Sequence, residues 1–194
     1  MKLYIDRIDE TPSHLSFEAD AEWWEKRCRG AREHPFRLAE PLRFDLQAHK
    51  MGSDVLLKGS VRGALEAECS RCLARYRHAL RDEFELLLED ARDRIPGDPE
   101  GVESLARDGL CLGEEIEEGW YRGSVITLDA FFGEVVACAM PIQPLCREDC
   151  AGLCPTCGVD RNENRCDCRV EEVKPKSPFA VLEKLREGRT EGES

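Results

Sequence analysis

Six of the chain's eleven cysteines fall between positions 146 and 168: Cys146, Cys150, Cys154, Cys157, Cys166 and Cys168. The spacing reads C-x3-C-x3-C-x2-C-x8-C-x-C. Thiolates are soft, strongly donating ligands, and four of them close a tetrahedral shell around Zn²⁺. In Cys154-Pro155-Thr156-Cys157-Gly158 a tight knuckle aims two sulfurs at one point, and a second C-x2-C pair, Cys69-Ser70-Arg71-Cys72, stands far upstream. Eight clustered thiols are enough for two four-thiolate sites, so metal binding constrains the fold before any other feature does.

Disulfides are the competing use of such cysteines, and compartment separates the two. The opening MKLYIDRIDE lacks an apolar h-region, and no run approaches the ~18 apolar residues of a membrane span. The chain is therefore expected in the cytoplasm, where clustered cysteines bind metal or do redox chemistry. Cys166 and Cys168 are too close in sequence for an unstrained disulfide with each other, yet they can chelate one ion. No βαβ pattern surrounds Cys69 and Cys72, which argues against a redox knuckle. No His lies in the cluster and four thiolates leave no open position, so the expected sites are structural, two Zn²⁺ per chain, and the protein is expected not to be an enzyme.

The 194 residues suffice for a real core, and the net charge is −12. An acidic protein does not bind nucleic acid by bulk charge, so any RNA contact needs a local basic patch. Arg71, Arg75, Arg77 and Arg81, with His78, form one at the first knuckle, with Tyr76 near for stacking. Arg147, Arg161, Arg165, Arg169, Lys174 and Lys176 surround the second cluster. The bland alternative is that these cations balance thiolate charge and solvate strand faces.

Periodicity predicts an α+β protein. Asp20 caps a short helix with Trp23 and Trp24, ending at Gly30. Leu42, Phe44, Leu46 and Ala48 alternate with polar residues, Gly52-Ser53-Asp54 turns, and Val55 to Ala67 alternate again, which reads as a long hairpin. Tyr76 to Leu88 continues the pattern, and Gly59 and Gly63 mark bulges or bends. Residues 1–92 are thus expected to be antiparallel β with the first knuckle. Residues 93–119, rich in Asp and Glu and holding Pro96 and Pro99, read as an acidic flexible linker. Residues 120–188 hold a helix with the stripe Leu128, Phe131, Phe132, Val135, Val136 and Ala139, capped by Thr127 or Asp129, then the cysteines and a last helix from Ser177-Pro178 to Gly188. Cys138, within the stripe helix, reads as a small core residue.

The favoured division of ligands puts Cys154, Cys157, Cys166 and Cys168 in a self-contained site and joins Cys146 and Cys150 to Cys69 and Cys72. The rival joins the two C-x2-C knuckles as a zinc ribbon does.

The order of these motifs carries a resemblance. Cys69-Ser70-Arg71-Cys72-Leu73 ends a hairpin. Met140-Pro141 then leads into Pro144-Leu145-Cys146-x3-Cys150-Ala151-Gly152-Leu153-Cys154-Pro155-x-Cys157-Gly158, followed by Cys166-x-Cys168 and Pro178-Phe179-Ala180-Val181-Leu182. This resembles the YceD family, the large ribosomal RNA subunit accumulation proteins. The resemblance implies a ribosome-biogenesis factor that assists processing or accumulation of large-subunit (23S) ribosomal RNA and has no established enzymatic activity. Its partner would be that RNA, or a ribosomal protein or assembly intermediate drawn to the acidic surface, with no small-molecule substrate. Some family members lack the counterparts of Cys154, Cys157, Cys166 and Cys168, as expected of a site that stands alone. Val159-Asp160-Arg161-Asn162 departs from the family's Asn-Leu-Asn stretch.

Overall fold

A computed structural model describes residues 1–28 and 36–168. The chain divides into two compact units, Met1–Cys150 and a second beginning at Ala151. That boundary falls inside the cysteine run. The expected C-terminal helix from Ser177, the proposed helix end at Gly30, and Arg169, Lys174 and Lys176 lie outside the described residues.

Three long strands dominate the first unit: β3 (Phe36–Met51), β4 (Asp54–Glu68) and β5 (Arg75–Asp90). They follow β1 (Lys2–Tyr4), β2 (Ser13–Ala19) and helix α1 (Ala21–Cys28). After them come α2 (Pro99–Asp108), β6 (Leu110–Leu112), β7 (Glu118–Tyr121), β8 (Val125–Thr127) and α3 (Asp129–Ala139). The main sheet has the order β2-β3-β4-β5-β7-β6, and β1 pairs with β8 apart from it. Among the described residues only β5 and β7 run parallel; the fold is α+β and mainly antiparallel, as the alternation predicts.

The alternation sorts the two faces. Leu42, Phe44, Leu46, Val55, Leu57, Val61, Leu80, Leu86 and Leu88 are buried on one side, where they meet Phe131, Phe132, Val135 and Val136 of α3. Phe132 stacks on Phe44 at 4.1 Å between ring centroids, and Phe84 stands edge-on to Phe131 at 5.5 Å. A Cβ on Gly59 would lie 2.5 Å from the Asp45 carbonyl oxygen and 2.7 Å from the Phe84 ring, so the strand crossing needs a residue without a side chain. The bend expected at Gly63 appears in its partner: β3 shifts register between Leu38 and Arg43.

Asp20 caps α1 as expected, accepting from the Trp23 N–H at 2.9 Å. Neither Thr127 nor Asp129 caps α3. The cap position is Leu128, without a side-chain bond. The Asp129 carboxylate instead accepts from the Trp23 indole at 2.8 Å, which fixes α1 against α3.

Residues 93–119 are not a linker. Asp98 caps α2 by accepting from the Gly101 N–H, Pro99 occupies its first position, and Gly109 at φ +67° closes it. Leu105, Cys111 and Ala91 then form a small second core beside Trp120. Pro99, which reads as part of a flexible linker, is here a helix start, where a missing N–H costs nothing. Cys138 is a second correction: it lies exposed on the outer side of α3, while Cys111 is buried and Cys28 half-buried. Among the described residues no helix is long and apolar enough to cross a membrane.

Candidate metal centres

The β4–β5 turn presents the first pair of thiols. The Cys69 N–H donates to the Ala74 carbonyl at 2.9 Å, and the Leu73 N–H returns to the Cys69 carbonyl at 2.9 Å. Leu73 takes φ +61°, a left-handed conformation costly for a branched side chain. This curl aims Cys69 and Cys72 the same way. Two bonds fasten it to the segment after α3: the Ser70 N–H donates to the Pro144 carbonyl at 2.8 Å, and Arg71 Nη1 to the Cys150 carbonyl at 3.1 Å.

The result joins Cys69, Cys72, Cys146 and Cys150, with ligand atoms all within 4.8 Å of one another. The Sγ atoms of Cys69 and Cys150 are 3.7 Å apart, as are those of Cys72 and Cys146. Zn–S bonds of about 2.3 Å put the corners of a tetrahedron about 3.8 Å apart. The spacing therefore fits one four-coordinate ion and is too narrow for a cage of several metals. Cys69, Cys72 and Cys150 are buried and Cys146 half-buried, so little water competes.

Cys154, Cys157, Cys166 and Cys168 form the other set, also within 4.8 Å. The second unit builds it alone. The Gly158 N–H returns to the Cys154 carbonyl, and the Cys154 N–H reaches Val159, each at 2.8 Å. Gly158 sits at φ +73°, where only glycine is unstrained. The segment that departs from the family pattern supplies the frame. Asp160 accepts from the Asn162 N–H at 2.8 Å, and Asn162 Oδ1 accepts from the Ala151 N–H at 2.8 Å. The division of ligands is the self-contained one; the two knuckles do not share a site.

Proton affinities within each set are uneven. Burial would raise the Cys69 thiol, but N–H groups of Cys146, Cys72 and Arg71 donate to the sulfur and bring it down to about 6. N–H groups of Cys157 and Thr156 hold Cys154 at about 6 as well. Burial, then the neighbouring thiols, push Cys146 up to about 12. Cys157, then burial, do the same to Cys168, at about 12. Cys72 and Cys166 are also raised, Cys166 chiefly by Cys154, and Cys72 by burial and its neighbouring thiols, which outweigh an N–H bond from Ala74. The Tyr76 hydroxyl lies beside this first set, where burial, then Cys69 and Cys146, raise its proton affinity.

Each set thus offers one ready thiolate and holds protons that an entering ion must displace. Affinity must fall with pH. Cys69 and Cys154, depressed from 9.0 to about 6, contribute stability that is complete above pH 9 and lost as pH falls through 6. Acidification followed with a chromogenic chelator should release the metal by about pH 5; retention there would contradict the thiolate assignment.

The arginines expected to touch RNA are less free than their sequence suggests. Arg75, Arg77 and Arg81 do share the outer face of β5, but Arg75 pairs with Glu66 at 3.2 Å and Arg77 with Glu40 at 2.5 Å. Arg71 holds the Cys150 carbonyl. Sequence reading missed these partners because they come from other strands: Glu66 of β4 lies diagonal to Arg75, and Glu40 lies two strands away on β3.

Fold and site together define a class: an antiparallel α+β protein with two four-cysteine sets suited to single metal ions, one spanning the chain and one local. The model of the YceD family, the large ribosomal RNA subunit accumulation proteins, matches residues 57–186. The chain belongs to that family.

Among curated proteins, an uncharacterised protein of Mycobacterium tuberculosis (strain H37Rv) is 30% identical over 118 residues, 61% of this chain and 50% of the relative. One from Mycobacterium leprae is 26% identical over 119 residues, covering 61% and 48%. The chloroplastic large ribosomal RNA subunit accumulation protein YCED homolog 1 of Arabidopsis thaliana is 25% identical over 166 residues, covering 76% and 49%. The chain spans about half the length of the curated relatives it matches. No solved structure matches it.

Proposed function

We propose that this chain is a non-catalytic ribosome-biogenesis factor that assists the accumulation of large-subunit ribosomal RNA, with two structural zinc ions. The observation that carries the metal half is the convergence of four cysteine sulfurs at each site, all within 4.8 Å of one another. Thiolates fill every position of a tetrahedral ion and leave none for substrate. Zinc, when bound, supplies a fixed four-way crosslink. The protein's own residues do the rest: Arg71 and Ser70 orient the first thiol pair, and Asp160 and Asn162 shape the second. Family membership and the name of the plant relative support the ribosomal half.

A second reading has its own support. The net charge of −12, with Arg75 and Arg77 neutralised by carboxylates, favours a basic protein partner such as a ribosomal protein. Pull-down with and without nuclease separates the two: partners that survive nuclease argue for protein, partners lost with it for RNA. For the leading reading, crosslinking and sequencing should enrich large-subunit ribosomal RNA, and deletion should lower the large-subunit share. Neither effect appearing would sink it.

Metal analysis should find two zinc ions per chain. Cys154→Ser should leave about one, because the two sets share no ligand. Iron in place of zinc would overturn the ion, and no metal would overturn the centres.

A further inference from the structure

The outer face of the main sheet carries an arrangement its fold does not require. Arg43 of β3 lies directly opposite Arg62 of β4, and Arg62 lies opposite Arg81 of β5. Three guanidinium side chains therefore stand in one row across three adjacent strands, about 4.8 Å from strand to strand. All three are exposed. Like charges facing each other across strands destabilise a sheet, and threonine or glutamine would serve the pleat better. Arg62 alone has a bonded carboxylate, Asp45, which also accepts from Ser16. Among the described residues Arg43 and Arg81 make no ion pair, although Glu18 is the cross-strand neighbour of Arg43.

Charge is also segregated along β5. The end near the first cysteine set carries Arg75, Arg77 and Arg81; from Asp82 onward come Glu83, Glu85, Glu89 and Asp90. Ala79 lies between the row and Arg77, so the surface there is shallow and open to an extended chain. The acidic half repels a polyanion, which confines one to the row.

We propose that the Arg43–Arg62–Arg81 row is the contact surface for the phosphate backbone of single-stranded RNA, spanning two successive phosphates. This places the RNA of the proposed function on the middle of the sheet face and away from Arg71, Arg75 and Arg77, and it rests on that reading. Guanidinium groups match phosphate oxygens in a two-pronged geometry. A row across strands without aromatic residues fits the backbone and does not read bases. The self-repulsion of the row in the free protein is relieved when phosphate binds.

The test uses the zinc-loaded full chain and a fluorescein-labelled oligouridylate, with anisotropy measured over a salt series. Each phosphate contact to a single strand adds roughly 0.7 to the slope of log affinity against log salt. The triple variant Arg43→Gln, Arg62→Gln, Arg81→Gln should flatten that slope by about 1.4 and weaken binding about 25-fold near 0.1 M salt. Its melting temperature should be unchanged or higher, because repulsion is removed; Arg75→Gln with Arg77→Gln should bind RNA as the parent does. Unchanged slope and affinity in the triple variant would overturn the proposal, as would displacement of the RNA by polyglutamate at equal charge. Failure of the two readings is distinguishable in cells. If deletion depletes large subunits and the triple variant restores them with full RNA binding, the row is wrong and the function stands. If the triple variant loses oligouridylate binding but deletion leaves subunits normal, the row stands and the ribosomal role fails.

Discussion

Stripping the metal from the first cysteine set should free residues 141–150 from the sheet and lower the melting temperature by more than 10 °C. Among the described residues little else holds this segment. Of its side chains Cys150 alone is buried in the core, and Ile142 is fully exposed. Besides the thiols, it is fastened by the Ser70–Pro144 and Arg71–Cys150 bonds. Each such bond nets only ~1 kcal/mol, up to ~3 where a charge takes part. Structural zinc sites in small peptides bind with roughly 10–16 kcal/mol at pH 7. If even ~5 kcal/mol of that is coupled to folding here, the shift is about 10–20 °C for a chain of this size. Chelation, Cys69→Ser and Cys150→Ser should all raise hydrogen exchange and proteolysis across 141–150. Cys157→Ser, in the other set, should not. Equal protection of 141–150 before and after chelation would show that the thiols do not act as a crosslink.

The second large effect lies in the core. Phe132→Ala should cost about 3–5 kcal/mol and, at about 2–4 °C per kcal/mol, lower the melting temperature by about 6–20 °C. Phe132 is fully buried. It stacks on Phe44, and the rings of Phe17, Phe84 and Phe131 lie within 6 Å of its own. Those neighbours come from α3 and three strands, so truncation leaves a cavity that no single element can close. Cys138→Ala on the exposed side of the same helix should change stability by less than about 0.5 kcal/mol. Urea unfolding of metal-saturated protein measures both. If the two substitutions cost the same, α3 is not docked on the sheet by its phenylalanines.

Much of this was legible in the chain because it is local. The alternation from Leu42 to Leu88 specifies strands and which face is buried, since side chains alternate strictly along a strand. The stripe from Leu128 to Val136 specifies a helix and its packing side. The knuckles Cys69–Cys72 and Cys154–Cys157 declare ligand pairs by spacing alone. Reading failed where one residue type has two uses. Pro99 was part of a flexible linker by composition and a helix start in fact, once Asp98 stood before it. Cys138 was apolar by neighbourhood but falls on the outer side of α3.

By itself, then, the sequence determined an α+β chain with eight thiols in two sets, because periodicity and ligand spacing are properties of short segments. The tertiary structure decided what those segments meet: Cys69 and Cys72 with Cys146 and Cys150 across more than 70 residues of chain, Arg75 and Arg77 with carboxylates from other strands, and Arg43, Arg62 and Arg81 in one row. These depend on strand register and loop closure. Neighbours of that kind are set by which faces bury together, and no short window of sequence contains them.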